Sequence, residues 1–497
     1  MNKFFAVSLL SAATFGAAAD SVTNGLPIRA MTLKDCIQEA LAHNFDVQIQ
    51  RFNPEIQNYA LGGDYGGYDP TLSLSGTHQH NVAGPDGVAP FVSDSDSFSS
   101  AIAGTAPWGL QYNVGGNVAE TTGSQYSTTT ATLPNSDSTS GNVGMSVTQP
   151  LLKNLWIDST RLAIEVDKNK LQQSVQTLRG QFITTVAAVQ NAYYELIYAQ
   201  QNVTVQQEAL NLAQTQLDQD RQRVQVGSLA PLDVQQDEAQ VASSRANLIT
   251  AQNSLSIDQN NLKNLLTDSY RQWQAVNIQP TDQLSSDLRL FDLQDSWGRG
   301  MLKRPELLEA RLQVTQLGIE LKYDRNQLYP ELDLKGTYGF NGTGQEFNDA
   351  FNQYREANRP YYSYGAEVSI PLSNIKARTA LKSGKASLQQ ELLTLKQLEQ
   401  TVMVDIDNAV KQVASDYQSI QASKQARVYA EAALDAEQKK YNVGKSTTFT
   451  VLQLQNTLTT DRGLEIRSIA SYDEDIAKLA QSEGATLDEL NISLDIR

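Results

Sequence analysis

Pro70-Thr71-Leu72-Ser73-Leu74-Ser75-Gly76-Thr77 returns later in the chain as Pro330-Glu331-Leu332-Asp333-Leu334-Lys335-Gly336-Thr337. In each copy a proline opens a run that alternates apolar and polar residues, the period of a strand. Two further markers repeat in the same order. Val147-Thr148-Gln149-Pro150-Leu151 is answered by Val368-Ser369-Ile370-Pro371-Leu372. Val226-Gly227, followed by Val234 and Gln236, is answered by Val443-Gly444, followed by Val451 and Gln453. All three separations are roughly 220 to 260 residues, so the chain reads as one long unit written twice. Strands come first in each unit and very long helices after them. That plan predicts an extended, pseudo-symmetric assembly rather than a compact enzyme core.

Beyond the strands the apolar period changes from two to seven. Phe182, Val189, Leu196, Val203, Leu210, Leu217 and Val224 lie seven apart; after Gly227 the rhythm resumes through Val234, Val241, Leu248, Leu255 and Leu262. In the second copy Ile406, Val413, Ile420, Leu434 and Tyr441 follow the same spacing, interrupted by Arg427. Val451, Leu458, Tyr472 and Leu479 continue it, interrupted by Glu465. A sustained heptad keeps one seam against a partner helix, so each copy is expected to form a coiled helical hairpin. Gly227 and Gly444 mark the tips, where a tight turn needs a residue free to take positive φ. A helix from Gln181 to Val226 would be on the order of 65–70 Å long and must project. The flanking face is rich in Gln200, Gln201, Gln206, Gln207, Gln214 and Gln216. It fits either a solvated helix surface or the lining of a water-filled passage.

These signals set the boundaries. Residues 1–19 read as a secretory signal: Lys3, an apolar core from Phe4 to Phe15, and Ala17-Ala18-Ala19 before Asp20. No cysteine closely follows that site, so no lipid anchor is expected there. The first repeat covers 20–290, with strands at about 70–150 and a hairpin at about 155–266. The second covers 291–484, with strands at about 330–372 and a hairpin at about 375–482; residues 485–497 form a tail. Each repeat is assigned two main strand regions. Val143, Met145 and Val147 alternate with polar neighbours, as do Ala366, Val368 and Ile370. Thr121–Gly141 and Gly342–Pro360 are expected to be exposed loops. The first strand region is the longer, and Ser99–Thr105 with Gly109–Glu120, joined at Ala106-Pro107-Trp108, offers an additional hairpin.

Composition narrows the function. The chain has 39 Lys+Arg against 55 Asp+Glu, a formal charge of −16. Nucleic acid is not an expected partner, because its phosphates need a basic surface. The same charge fits a self-repelling soluble surface or an electronegative, cation-favouring interior. Cys36 is the only cysteine, so no internal disulfide is possible. After the signal no run of eighteen apolar residues remains, so membrane insertion would require strands closed into a barrel. Catalytic patterns are missing: no phosphate loop, nucleophile elbow or Cys-X-X-Cys occurs. Of His43, His78 and His80, the last two share a strand face but have no evident third metal ligand. Neither enzyme activity, a metal nor a cofactor is expected.

The signal, the doubled strand–helix plan, the returning prolines and the Val-Gly tips together resemble the TolC-type outer-membrane efflux family. The likeness runs from about Leu33 to Gly484. It includes Leu33-Lys34-Asp35 and Ala40-Leu41-Ala42-His43-Asn44, answered by Leu293-Gln294-Asp295 and Met301-Leu302-Lys303-Arg304-Pro305. The resemblance implies a mainly α fold with β: a homotrimer whose strands, four per chain, close one barrel in outer-membrane lipid and whose helices form a periplasmic α-barrel. It further implies an exit duct for a tripartite efflux or type I secretion system, opened at its tip by a periplasmic adaptor and powered by an inner-membrane pump. The implied docking tips are Val226, Gly227, Ser228, Leu229, Val443, Gly444, Lys445 and Ser446. The implied aperture residues are Asp233, Asp237, Tyr441, Lys445, Thr450 and Gln453. Thr450 and Gln453 stand where the family's aperture acids would fall, and Ser446 where close relatives carry a basic residue. An acidic ring is therefore expected on the first tip, from Asp233 and Asp237, or closure by polar and aliphatic packing instead. The competing reading is a periplasmic coiled-coil adaptor or scaffold without a pore.

Overall fold

The computed structural model describes residues 27–83, 91–125 and 137–492. The expected signal, 1–19, and the end of the expected tail lie outside the described residues. In chain order the elements are β1 (Ile28–Met31), α1 (Leu33–His43), α2 (Phe45–Tyr65), β2 (Thr71–Ala83), β3 (Phe91–Thr105), β4 (Gln111–Gln125) and β5 (Ser138–Pro150). Then come α3 (Ser159–Gln225), α4 (Pro231–Leu266), α5 (Tyr270–Trp273), β6 (Asn277–Pro280), α6 (Leu293–Lys303) and α7 (Pro305–Asn326). The chain closes with β7 (Glu331–Gly344), α8 (Phe347–Glu356), β8 (Pro360–Ser369), α9 (Ile375–Asn442), α10 (Thr448–Glu483) and α11 (Thr486–Glu489). Packing divides the chain into two units. One comprises the residues up to Asn44, Val189–Ser285 and Ala422–Ala470; the other comprises Phe45–Ala188, Ser286–Gln421 and the residues from Ser471 on.

The second unit holds a six-stranded sheet in the order β2-β3-β4-β5-β7-β8, antiparallel throughout. Four strands were expected. The extra pair comes from the long first strand region, where β3 and β4 form the additional hairpin around Ala106–Leu110. The loop expected at Gly342–Pro360 is partly wrong: it contains a ten-residue helix, α8.

Register gives the sheet two chemically distinct faces. Leu72, Ile102, Val114, Met145, Tyr338 and Tyr362 are cross-strand partners in one unbroken row, and all six are exposed. Directly opposed side chains share a face. The alternate residues form rows such as Ser75, Ser99, Asn117, Asn142 and Asn341. One face is thus apolar and unburied, the other polar and mostly uncharged. Lys335 and Glu367, an exception on the polar face, pair with each other. The six strands form an open sheet and do not close on themselves. The outer edges of β2 and β8 have no strand partner among the described residues.

The heptads bury as expected. Val189, Leu196, Ile406, Val413, Ile420, Val451, Tyr472 and Leu479 are essentially solvent-free, and no named seam residue of the first hairpin is exposed. The two charged interruptions of the second seam are each other's partners: Arg427 pairs with Glu465 and also with Glu431. The helices come in matched lengths, 67 and 36 residues around Gly227 and 68 and 36 around Gly444. In the first unit β1 pairs in parallel with β6. Thr32 caps α1 in a reciprocal capping box with Asp35. Tyr193 is buried and donates to Asp282 and to the Met31 carbonyl oxygen, tying α3 to that ribbon.

Candidate functional site

Both hairpin tips are built by the same backbone device. Gly227 has φ +75° and Gly444 φ +73°. Ser228 N–H donates to the Arg223 carbonyl and Gly227 N–H to that of Val224, at 2.9 and 3.0 Å. Lys445 and Gly444 repeat this on Lys440 and Tyr441, at 2.9 and 3.0 Å. This pairing is the Schellman ending of a helix, which needs a left-handed residue after the cap. Ala230 then starts α4 with Pro231 in its first turn, a position where a missing N–H costs nothing. On the second side Thr447 accepts from Thr450 N–H at 3.4 Å and caps α10.

The turns leave apolar side chains in solvent at equivalent places. Val226 is 79% exposed and Val443 68%. Five residues past each glycine, Leu232 and Phe449 are exposed as well. Ser228 and Lys445 are exposed; Leu229 and Ser446 are half-buried, with Ser446 donating to Glu437. The residues assigned to docking therefore sit together at the two turns.

The assigned aperture residues do not form one group. Asp233 is half-buried in the first turn of α4, Thr450 is half-buried and hydrogen-bonded to Thr447, and Gln453 is exposed. Gln453, with Gln240, Phe449 and Asn456, lines a shallow groove of about 590 Å³ along α10. Gln240 and Asn456 exchange hydrogen bonds across it at 2.7 and 3.2 Å. Asp237 departs from the expectation. Its side chain is solvent-free within the hairpin and meets Asp220 of α3, so it is not an acid facing an open lumen.

Asp237, Asp220, Arg223 and Tyr441 make a compact cluster just inside the tips. Burial, then hydrogen bonding to Asp220, pushes the Asp237 carboxyl up to about 7. The pair therefore holds a shared proton below about pH 7, because two close carboxylates resist ionising together. Gln216 donates to Asp220 at 2.8 Å, and Arg223 lies 3.8 Å from it. The Arg223 guanidinium also stacks over the Tyr441 ring, 4.5 Å from its centroid, and donates to Asn442 at 2.8 Å. Tyr441 is buried with its hydroxyl 3.0 Å from Thr448, and burial pushes its phenol up to about 12. It belongs to an apolar cluster with Ala430, Leu434, Val451 and Leu458, against which Leu212 of α3 packs. Tyr441 is thus both a seam residue and the link between α9 and α3.

Asp220 was not foreseen. The signal was present: Asp220 and Asp237 stand three residues after Leu217 and Val234, the second inward position of the heptad. Asp416 and Asp475 stand likewise after Val413 and Tyr472. They form a second such pair in the other unit, where burial, then Asp475, pushes Asp416 up to about 7. The histidines are occupied locally. His43 lies 3.2 Å from Asp268 and His78 2.8 Å from Asp96, and His80 pairs with Asp94. Among the described residues no group of three or more His, Cys, Asp or Glu is placed to hold a metal ion.

The family model described as outer membrane efflux protein matches residues 106–267 and 301–485. "Outer membrane protein TolC" of Escherichia coli (strain K12) is 28% identical over 294 residues, 58% of this chain and 57% of that protein. The chain thus aligns with little more than half of that relative. The "Pyoverdine export outer membrane protein OpmQ" of Pseudomonas aeruginosa is 24% identical over 67% of this chain and 68% of its own length. The solved structure of CusC superposes with a TM-score of 0.69 at 16% identity, covering 91% of this chain and 92% of that one, which establishes the fold. The relatives place the chain in the outer membrane. Membership does not rest on the tips alone, because the match takes in β4, β5, β7, β8 and both hairpins: the chain belongs to the outer membrane efflux protein family.

Proposed function

We propose that this protein is the outer-membrane exit duct of a tripartite efflux or type I secretion system, working as a homotrimer. The carrying observation is the sheet: six strands, two unpaired edges, one continuous apolar face and one polar face. Three copies would join β2 of one to β8 of the next and close a barrel with apolar side chains to lipid and Ser, Thr and Asn to a water-filled lumen. A second exposed stripe favours assembly from copies. Phe45, Ile49, Phe52, Ile56 and Tyr59 repeat along α2 at alternating steps of four and three, and all are exposed. That is the spacing of a helix seam awaiting a partner. The paired halves, with their matched helix lengths, fit duplication of one strand–helix-hairpin unit.

In this reading a periplasmic adaptor docks on the exposed Val226, Leu232, Val443 and Phe449 around the two turns. Opening would separate contacts that hold the hairpins together: Arg223 with Tyr441 and Asn442, Gln216 with Gln438, and Gln240 with Asn456. The energy would come from the inner-membrane pump, and transit itself would be passive. The pore-less scaffold reading gains nothing from an apolar strand face this large and exposed. Purified protein in planar bilayers tests the proposal, together with native mass measurement in detergent. A trimer that conducts is expected. A monomer, or membranes from which carbonate washes the protein away, would refute it.

A further inference from the structure

The apolar face of the sheet ends abruptly. Along β2 the face runs Leu72, Leu74, Gly76 and then His78; the row through His78 continues to Asp96 and Glu120. The row before it runs Gly76, Phe98, Val118, Gly141 and Gly342. Lipid-compatible side chains thus give way to charge within one step of two residues. This boundary lies near the start of β5, at the end of the sheet opposite the C-terminal ends of β5 and β8 that lead into α3 and α9.

Helix α8 lies across that boundary. Gly141 and Gly342 leave out the side chains their row would otherwise carry, and α8 fills the space. A Cβ on Gly342 would strike the Ala350 carbonyl oxygen and the Tyr354 ring, and one on Gly141 would strike the Tyr354 hydroxyl. In the charged row Asp349 sits against Gly344. Ala350 is completely buried beneath the helix. Gln353 fixes α8 to the end of β7 by accepting from Thr343 N–H at 3.1 Å and donating to its carbonyl oxygen at 2.6 Å. Seated this way, α8 still presents two large apolar side chains outward. Phe347 and Phe351 are 52% and 55% exposed and stack with centroids 6.4 Å apart. The helix has Asn348, Asp349 and Asn352 on its other sides.

We infer that α8 is an interfacial membrane anchor, with Phe347 and Phe351 inserted among lipid acyl chains where the apolar face of the sheet stops. Three observations choose lipid as the occupant. The helix that carries the two rings packs on the apolar side of the sheet through Ala350 and Tyr354, it lies at that side's polar limit, and the chain resides in the outer membrane. A short helix with one apolar edge and polar remaining faces is the form that lies in a membrane interface. Aromatic side chains favour that depth. The helix would fix how deep the sheet sits, and this rests on the proposal that the apolar face contacts lipid.

Nitroxide labels on variants of the full chain that each carry one added cysteine, in lipid vesicles, test the inference. Cys36 is buried and its thiol is pushed up to about 12 by desolvation, so it does not compete for label. Phe351→Cys is expected to meet oxygen more readily than an aqueous nickel chelate, as Val114→Cys does in the middle of the apolar face. Asn352→Cys is expected to show the reverse preference. If Val114→Cys reports lipid while Phe351→Cys and Phe347→Cys match Asn352→Cys, the anchor is refuted and the barrel reading stands. If Val114→Cys is also aqueous, the barrel reading has failed and the anchor falls with it.

Discussion

Replacing Asp237 by Asn should strengthen the hairpin near its tip at neutral pH and flatten its response to pH. An Asp in the unfolded or locally opened chain titrates near 3.8, whereas in the closed hairpin it titrates near 7. Between those values the closed state holds a proton that the open state has released. Closed-state stability is therefore greatest below about pH 4, falls as pH rises, and levels off above about pH 7. At 1.36 kcal/mol per pH unit the whole interval is worth about 4 kcal/mol, an upper limit. From pH 5 to pH 7 the loss should be about 2–3 kcal/mol. Asn keeps the shape and always presents a donor to Asp220, so Asp237→Asn should remove the slope and gain about 2–4 kcal/mol of local stability at pH 7.5. Amide hydrogen exchange across residues 217–240, corrected for intrinsic rates, reads this directly. The Asp416–Asp475 pair gives an internal control, since its own pH response should persist in the variant. A wild-type hairpin with no loss of protection between pH 5 and 7 would refute the shared proton. So would an Asp237→Asn variant that follows the wild-type curve.

Three further outcomes test other parts of the structure. Arg223→Ala removes a guanidinium from both the Tyr441 ring and Asn442, and should weaken the closed tip by about 1–3 kcal/mol; bilayer recordings should show higher or more frequent conductance than wild type. Gly444→Val forces a β-branched residue to φ +73° and should cost at least about 1–2 kcal/mol, seen as faster exchange at the turn, while Gly444→Asn should cost less. Val114→Arg puts a charge in the middle of the apolar face and should cost about 2–4 kcal/mol at mid-membrane depth, lowering the assembled fraction on semi-native gels; Asn113→Arg, on the opposite face, should assemble normally.

The parts of the fold legible in the sequence are those where one period governs one face. Leu196 and Ile406 declare their burial because a helix returns them to the same partner every seven residues. Leu72 and Leu74 declare the face they share, not burial, because a strand alternates. Period reading fails where both faces are polar: Ser93-Asp94-Ser95-Asp96-Ser97 shows no alternation of apolar with polar residues, yet it lies in β3, held by β2 and β4. It also fails where turn-forming residues obscure a short helix. Phe347, Ala350, Phe351 and Tyr354 have helical spacing, but Gly342, Gly344 and Pro360 around them read as loop. The two turns could be found because the Schellman ending favours glycine at its left-handed position. The proton-sharing pairs required following the second inward heptad position as well as the first.

That second position changes how closure is best understood. An acidic constriction facing water could come only from the first tip, since the second offers Thr450 and Gln453 in place of carboxylates. Of the two first-tip acids, only Asp233 keeps access to solvent, while Asp237 lies inside the hairpin against Asp220. Repulsion between water-facing carboxylates is screened within about 10 Å at 0.1 M salt. A buried pair is screened far less, so its protonation acts on helix packing directly. In the proposed duct, control of the tip would therefore lie in the seam between α3, α4 and α9, where one proton and the Arg223–Tyr441 stack act on the same few residues. Salt should then change tip opening little while pH changes it strongly, the opposite of what a ring of water-facing acids would give.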